Sequence, residues 1–190
     1  MDIKLQILVP TMPVRAPLLK KLLATLQKQI NCHPGARFMV DDGDGSIGAK
    51  RQRMIEAATA EYICFVDDDD RISPDYLDRI MPCLASGPDV VGITMHVRMD
   101  GKDYHPSPIF RHSLRFRDNT GWRDNDRPPH HLCPMRREIA LRSRFPDLMW
   151  GEDYNFALGV LPHLHTEEWS GDDPLYFYDY YSRKPFDSGA

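Results

Sequence analysis

Four consecutive aspartates, Asp67–Asp70, directly follow the apolar segment 62–66. Carboxylates this close repel one another at neutral pH, and some of their pKa values rise unless a cation is present. In an Asp-x-Asp arrangement the outer side chains, Asp67 and Asp69, can reach one site while the middle one, Asp68, points away. Mg²⁺ and Mn²⁺ are typically held by one or two carboxylates together with phosphate oxygens and water. The run therefore predicts a site for Mg²⁺ or Mn²⁺ and a phosphate-bearing ligand, with Asp67 and Asp69 as the metal ligands.

The acidic run also has a structural interpretation. Negative charges are favourable at the N-terminus of a helix, and Ser73 followed by Pro74 has the pattern of an N-cap and a first helical residue. One or two acids would be enough for that role, whereas the run has four. We therefore favour the cation site and keep the helix flank as the alternative.

A second acidic pair, Glu152 and Asp153, follows Trp150 and Gly151 at the predicted start of a helix. A carboxylate in such a place can act as the general base that removes the proton of an attacking hydroxyl group. Acids are also common in the first turn of a helix for electrostatic reasons. The pair alone leaves both interpretations open, and a nearby metal–diphosphate site would favour the catalytic one.

The elements that must position these side chains alternate along the first half of the chain. Apolar runs and helical spacing predict strands at 3–9, 37–40, 62–66 and 89–97 and helices at 17–30, 48–60 and 73–84. Such alternation predicts an α/β fold with a mostly parallel sheet flanked by helices. Ligands of such sheets bind at the carboxyl ends of the strands, and the loops 10–15, 41–47 and 67–70 all lie there.

The second half of the chain is predicted to be mixed. Regular periodicity fades between Arg98 and His131, and a loop of that length in a compact domain is usually functional or mobile. The elements predicted beyond it are strands at 132–136 and 175–181 and helices at 138–143 and 150–161.

Composition favours a soluble protein of one domain. The 190 residues carry a net charge of −4, and the four cysteines form no CxxC pair, which argues against a zinc knuckle and a disulfide framework. The N-terminus lacks the pattern of a signal peptide, and no apolar run approaches the roughly 20 residues that span a bilayer. We expect a cytoplasmic protein with reduced cysteines and no membrane span.

Several motifs together resemble the family 2 glycosyltransferases and their relatives with the GT-A fold, over most of the chain. Residues 7–11 are similar to the first strand and nucleotide loop of that family, and Asp41-Asp42-Gly43 resembles its acidic loop, which contacts the base. Lys50-Arg51-Gln52 and the segment 58–70 are similar to its Ala-Arg-Asn helix and its Asp-x-Asp strand end. Gly151-Glu152-Asp153 resembles its Glu-Asp motif, whose second acid is the catalytic base.

The resemblance implies a GT-A fold and a nucleotide-sugar donor, with UDP-sugars favoured. The donor-binding residues that it implies are Pro10, Thr11, Arg15, Asp41, Asp42, Arg51, Asp67 and Asp68. A single domain of residues 1–190 would then consist of a nucleotide-sugar-binding half, 1–97, and an acceptor-binding and catalytic-base half, 98–190. Gln52 departs from the usual Asn, and Tyr181 stands where many members have a histidine, so the last protein ligand of the metal stays open.

The reaction implied by the resemblance is a direct displacement at the anomeric carbon of the sugar, with inversion. Asp153, with Glu152 beside it, would receive the proton of the acceptor hydroxyl group. The metal would neutralise the charge that builds on the departing diphosphate.

The acceptor has two candidate classes. From Arg111 to Arg144 there are nine arginines, no lysine and four acids, which indicates either an anion-facing surface or arginines on a solvated loop. Arginine pairs with phosphates and stacks on flat rings, so DNA with hydroxymethylated bases is one candidate. We favour a carbohydrate or lipid-linked glycan, because the rest of the chain is acidic. The expected acceptor-binding residues are Trp150, Trp122 and His131.

Two other functions use similar residues. Nucleotidyltransferases also combine a parallel sheet, a divalent metal and a diphosphate, but the loop from Pro10 to Arg15 lacks the glycines usual in that class. A catalytically inactive module that binds nucleotide sugars is the other alternative, and the presence of Asp67, Asp69 and Asp153 argues against it.

Overall fold

The computed structural model describes residues 2–104, 108–111 and 126–181. Trp122, which we expect to bind the acceptor, lies outside these residues, as do Arg115, Arg117 and Arg123 of the arginine-rich stretch. Within the described ranges, no helix has the length and apolar character needed to cross a membrane.

The helices agree in position with most of the sequence predictions. They are α1 (Ala16–Ile30), α2 (Ile47–Ala57), α3 (Tyr76–Cys83), α4 (Arg137–Ala140) and α5 (Glu152–Val160). In α1 the buried side chains Leu22 and Leu26 are four residues apart, so they lie on one face of the helix. The start of α2 is capped by Ser46, whose Oγ accepts a hydrogen bond from Ala49 N at 3.0 Å.

The strands are more numerous than the sequence indicated. They are β1 (Leu5–Pro10), β2 (Ala36–Asp41), β3 (Tyr62–Phe65), β4 (Arg71–Ile72), β5 (Val90–Met99), β6 (Lys102–Tyr104), β7 (Ile109–Phe110), β8 (Asp126–Arg127), β9 (Met135–Arg136), β10 (Glu167–Trp169) and β11 (Tyr176–Tyr180). Short strands β6, β7 and β8 occupy the stretch in which we predicted no clear elements. A strand of two or three residues is too short to show a hydrophobic period, so its partners in the sheet define it.

The sheet has a parallel part and a mixed part, as predicted. Its strand order is β2-β1-β3-β9-β5-β11-β4. Strands β2, β1 and β3 are parallel, whereas β9 is antiparallel to both of its neighbours, β3 and β5. Strand β11 is parallel to β5 and antiparallel to β4. The short strand β9, from the second half of the chain, therefore separates β3 from β5, which both belong to the first half.

The central strands explain why the loops meet at one edge. Strands β1 and β3 are buried along their whole length, as expected of apolar runs in a parallel sheet that is covered on both faces. Pro10, the last residue of β1, lies opposite Asp41, the last residue of β2. Just past the end of β3, Val66 N donates to Leu8 O of β1 at 3.0 Å. The residues that follow these three strands must therefore lie side by side.

The predicted start of the third helix, with Pro74 as its first residue, is wrong by two residues. Ser73 does not cap α3, which begins at Tyr76. Instead, Gln29 of α1 reaches across, and its Oε1 accepts a hydrogen bond from Leu77 N at 2.9 Å. Because this long-range contact satisfies a free N–H group of the first turn, the helix does not need the local cap that the Ser-Pro pattern predicted.

Candidate active site

The carboxylate of Asp68 joins the loops that follow β1 and β3. Asp68 is 2% exposed, and it accepts hydrogen bonds from Thr11 Oγ1 at 2.6 Å and from Arg15 Nη1 at 2.8 Å. Burial raises the pKa of Asp68, and the hydrogen bonds from Thr11 and Arg15 offset part of that rise. Arg15 Nη1 also lies 3.1 Å from Asp69 Oδ2, and the Asp69 side chain keeps 33% of its surface exposed. The middle aspartate therefore points back into the protein while Asp69 stays at the surface.

Arg51 of α2 connects the two acidic clusters that the sequence analysis singled out. Its Nη2 donates to both carboxylate oxygens of Asp67, at 2.8 and 2.9 Å, and its Nη1 donates to Glu152 Oε1. Arg51 is 4% exposed and Glu152 is 5% exposed. The resemblance implied that Arg51 contacts the nucleotide, and in the structure its guanidinium group faces these two carboxylates.

Arg51 and Asp67 hold each other in the ionised form, whereas burial raises the pKa of Glu152. Burial acts to lower the pKa of Arg51, but the charge of Asp67, with that of Glu152, outweighs burial and raises it. Burial likewise acts to raise the pKa of Asp67, and the Arg51 charge outweighs it, so this pKa lies well below its usual range. The bridge is therefore a paired, hydrogen-bonded set of charges, which is the condition under which buried charges are tolerated.

Tyr176 of β11 fixes the acidic run from the opposite side. Its buried hydroxyl group donates to Asp70 Oδ2 at 2.6 Å and accepts a hydrogen bond from Asp67 N at 3.0 Å. Burial and the charges of Asp67 and Asp69 raise the pKa of Asp70 well above its usual value. Part of this rise is repulsion between like charges, which a cation bound at the acidic run would relieve.

The start of α5 presents its two acids to different surroundings. Glu152 is buried against Arg51, whereas Asp153 is partly exposed, and its Oδ1 accepts a hydrogen bond from Tyr154 N at 2.8 Å. Gly151 has a φ of +78°, a conformation that glycine adopts without strain, and it allows the chain to turn sharply into the helix. Trp150, directly before this turn, is 81% exposed. Asp153 is thus the member of the pair that reaches solvent.

The segment 145–148, which leads into α5, is attached directly to α2. Gln52 Oε1 accepts a hydrogen bond from Phe145 N at 3.0 Å, and Gly48 N donates to Leu148 O at 3.1 Å. A Cβ atom at Gly48 would lie 1.9 Å from Pro146 O, so only glycine allows this approach. The helix that carries Arg51 therefore also sets the position of the Asp153 turn.

His131 lies behind Asp67 and has little surface of its own. It is 6% exposed, its Nε2 is 3.9 Å from Asp67 Oδ2, and within the described ranges neither ring nitrogen has a hydrogen-bond partner. Burial and the charge of Arg51 lower the pKa of His131, which favours a neutral ring at pH 7. Any effect of His131 on a ligand would pass through Asp67 in this arrangement.

The loop after β2 lies beside the Thr11 loop. Asp41 pairs with Arg53 of α2 at 2.9 Å, while Asp42 is exposed. The buried Lys50 donates from Nζ to Thr11 O at 2.6 Å, and it thereby ties α2 to the first loop. The sequence analysis assigned no separate role to Lys50.

Three described arginines of the arginine-rich stretch are engaged inside the protein. Arg111 pairs with Glu167 at 3.4 Å, and Arg136 pairs with Glu61 at 3.1 Å. Arg137 donates hydrogen bonds to backbone carbonyl groups of α2. These contacts account for the three side chains without an external anion.

Two carboxylates of the acidic run, Asp67 and Asp69, are the candidate donors for a metal ion. Over the ranges that the structure covers, no group of three or more His, Cys, Asp and Glu side chains is placed to hold a metal ion. Asp67 and Asp69 offer oxygen atoms of the kind that Mg²⁺ or Mn²⁺ takes together with phosphate and water. An ion at Asp67 would share oxygens that already accept hydrogen bonds from Arg51.

Comparison with known proteins relates this chain to sugar-transferring enzymes. Over residues 19–143 the chain matches the sequence model described as "Glycosyl transferase family 2". Over 45 residues it is 42% identical to EpsH of Bacillus subtilis (strain 168), described as a candidate glycosyltransferase. That match covers 24% of this chain and 13% of EpsH.

Solved structures with a similar fold include TarS of S. aureus. The structure of TarS 1-349 is matched with a TM-score of 0.64 at 16% identity, over 93% of this chain and 60% of TarS 1-349. The complex of TarS 1-349 with UDP-GlcNAc is matched with a TM-score of 0.62 at 14% identity, over 98% of this chain and 61% of that chain. This chain therefore spans about 60% of TarS 1-349 and 36% of the longer TarS structure.

The comparisons and the topology agree. The α/β sheet with its parallel part and mixed second half confirms the predicted GT-A fold. The family match covers well over half of the chain and includes Arg51 and the acidic run. The chain belongs to glycosyl transferase family 2.

Proposed function

We propose that this protein transfers a sugar from a UDP-sugar to an acceptor hydroxyl group, with a divalent cation and with inversion at the anomeric carbon. The observation that carries the proposal is the buried Arg51, which brings the acidic run and the Glu152–Asp153 pair into one site. Membership of glycosyl transferase family 2 supports the reaction class. The UDP-GlcNAc and UDP complexes of TarS, a protein of similar fold, support the choice of donor.

The donor would bind across the three loops at the edge of the sheet. The backbone at Pro10 and Thr11 and the acids Asp41 and Asp42 are adjacent there, because Thr11 N donates to Asp41 O at 2.9 Å. In our proposal the Asp41 loop contacts the base, and Arg15, partly exposed beside Asp69, faces the phosphates. Asp68 acts indirectly, since its carboxylate is already used to hold Thr11 and Arg15.

Asp67 and Asp69 would hold Mg²⁺ or Mn²⁺ together with the diphosphate of the donor. When bound, the cation supplies positive charge that offsets the charge gathering on the leaving diphosphate. Tyr176 and Arg51 keep Asp67 in place from two sides, through its backbone and its carboxylate. These contacts preorganise the site, because the side chains do not have to be gathered when the donor arrives.

Asp153 would act as the general base. The acceptor hydroxyl oxygen forms a bond to the anomeric carbon, its proton passes to the Asp153 carboxylate, and the bond from that carbon to the diphosphate oxygen breaks to release UDP. Glu152 is less suited to this role, because it is buried and its charge is paired with Arg51. Arg51 is therefore a positioning residue that holds the base and the acidic run at a fixed separation.

We propose a carbohydrate acceptor. The exposed Trp150 beside the Asp153 turn could pack against the apolar face of a sugar ring. Arg111, Arg136 and Arg137 are engaged inside the protein, so they give little support to a surface that binds DNA phosphates.

Replacement of Asp153 by asparagine tests the base. Asp153→Asn removes the proton acceptor but keeps the shape of the side chain, so turnover should fall by roughly 10²–10⁴-fold with donor affinity nearly unchanged. Turnover is measured by UDP release and donor affinity by calorimetry. Asp75→Asn, which changes an exposed aspartate outside the site, should retain wild-type turnover. Wild-type turnover in Asp153→Asn would remove Asp153 from the mechanism.

Replacement of Asp69 by alanine tests the metal site. In wild-type protein Mn²⁺ should strengthen UDP binding, because the cation links the carboxylates to the diphosphate. Asp69→Ala should abolish this gain, so that UDP titrations by calorimetry give the same affinity with Mn²⁺ and with a chelator. A variant that still binds UDP more tightly with Mn²⁺ would show that Asp69 is not a ligand.

Replacement of Arg51 by methionine tests the two ion pairs that Arg51 makes with Asp67 and Glu152. Arg51→Met leaves Asp67 and Glu152 without their common partner, and breaking a buried pair in this way typically costs about 3–5 kcal/mol of unfolding free energy. Arg53→Met is the matched control on the same helix, because the Arg53 side chain is 44% exposed and its pair with Asp41 should contribute less than about 1 kcal/mol. Both are measured by urea unfolding, and equal losses in the two variants would contradict the central role of Arg51.

A further inference from the structure

Strand β11 has two faces of different chemistry. Residues 177 and 179 lie on one face, where Arg71 covers the ring of Phe177 at 5.3 Å and pairs with Asp179 at 3.3 Å. Tyr176, Tyr178 and Tyr180 alternate with these residues and lie on the other face. The sequence predicts a strand at 175–181 without a role for its tyrosines, and the mechanism above uses only Tyr176.

The tyrosine face continues sideways across the sheet. Tyr178 lies opposite Val97 of β5, which in turn lies opposite Tyr104 of β6. Tyr180 lies opposite Met99 in the same way. Paired residues of neighbouring strands share a face, so these side chains form one platform, roughly 10 Å wide across three strands and about 7 Å long. We call residues 97, 99, 104, 178 and 180 the tyrosine platform.

The outer side chains of this platform are accessible, whereas Val97 at its centre is 8% exposed. The exposed Lys102, opposite Met99, adds a charged group at its edge. Tyr178 is 36% exposed, Tyr180 is 38% exposed and Met99 is 40% exposed. The rings of Tyr178 and Tyr180 are 6.5 Å apart and tilted by 45°. Apolar side chains that are grouped on a surface, rather than scattered, usually mark a place where something binds.

The platform begins at the candidate active site. Tyr176, on the same face and two residues before Tyr178, donates directly to Asp70 and accepts from Asp67 N. Burial, together with the charges of Asp70 and Asp69, raises the pKa of Tyr178 to about 12. A ligand on the platform would therefore approach the donor site from the side of β11.

The geometry points to the tyrosine platform as a subsite for sugar rings of the acceptor. A pyranose ring has a face of C–H groups that packs on a flat aromatic ring, and a hydroxyl rim that suits the nearby tyrosine O–H groups. The platform is longer than one sugar ring and extends away from the acidic run, which fits an acceptor of several sugars better than the single sugar of a donor. This inference rests on the proposed function. It adds where the acceptor binds and that the acceptor contains several sugars.

Two double variants test the inference. Tyr178→Thr/Tyr180→Thr removes both rings but keeps side chains that favour strands, whereas Tyr178→Phe/Tyr180→Phe keeps the rings as the matched control. The probes are maltotetraose, cellotetraose and chitotetraose, each titrated in the presence of UDP and Mg²⁺ and followed by saturation-transfer NMR. UDP affinity by calorimetry and the midpoint of thermal unfolding are measured on the same samples. If the threonine double variant unfolds, the single variant Tyr180→Thr, at the outer end of the strand, replaces it.

We expect wild-type protein to bind at least one tetrasaccharide. The phenylalanine variant should bind it within about twofold of wild type, and the threonine variant roughly tenfold more weakly, the size expected for loss of well-placed aromatic contacts. UDP affinity should be unchanged in both variants.

Several outcomes would overturn the inference. These are a wild type that binds none of the tetrasaccharides, a threonine variant that binds as tightly as wild type, and a loss confined to UDP affinity, which would place the platform in the donor site. Each of these leaves the proposed function standing if wild-type protein binds UDP. Wild-type protein that does not bind UDP would contradict the proposed function, and the inference would fail with it.

Discussion

The arrangement of this site depends on one buried cation, Arg51. A guanidinium group that is 4% exposed must be surrounded by negative charge or hydrogen-bond acceptors, because an unpaired charge in that place would cost several kcal/mol. Asp67 and Glu152 meet that requirement, and they belong to segments 85 residues apart in the sequence. The need to satisfy one side chain therefore joins the end of β3 to the start of α5.

Other contacts near Arg51 also join the loops of the site to rigid elements. Helix α2 holds the first loop through Lys50 and the segment before α5 through Gly48 and Gln52. Tyr176 of β11 donates a hydrogen bond to Asp70 of the acidic run. Because each loop of the site is attached to at least one rigid element, the carboxylates keep their positions before any ligand binds, as a preorganised site requires.

The sequence was sufficient for features that depend on neighbouring residues. The apolar runs predicted β1 and β3, and the loops that follow them were correctly predicted to meet at one edge of the sheet, because parallel strands leave no other arrangement. These features follow from local periodicity, which a single sequence displays directly.

Features that depend on distant partners could not be obtained in the same way. The Ser73-Pro74 pattern was a reasonable helix start, but Gln29, 48 residues before Leu77, satisfies the first turn instead. Nothing local indicated that Arg51 would be buried between two acids, or that Tyr176 would hold Asp70. Similarly, nothing in the sequence distinguishes Gly48 from an ordinary helix residue, although a Cβ atom at this position would collide with Pro146 O. Each of these contacts is specified by the tertiary fold rather than by its own segment.

The central claim is that the site uses a nucleotide sugar with the help of a divalent cation. The most direct test follows a panel of UDP-sugars by proton NMR, with purified protein and either Mg²⁺ or a chelator, and records UDP release and the anomeric signal of the first sugar product. The account predicts that at least one UDP-sugar is consumed only when the cation is present, and that the product first appears with the inverted anomeric configuration. If folded protein leaves every donor unchanged, or consumes one equally well with the chelator, the account is contradicted.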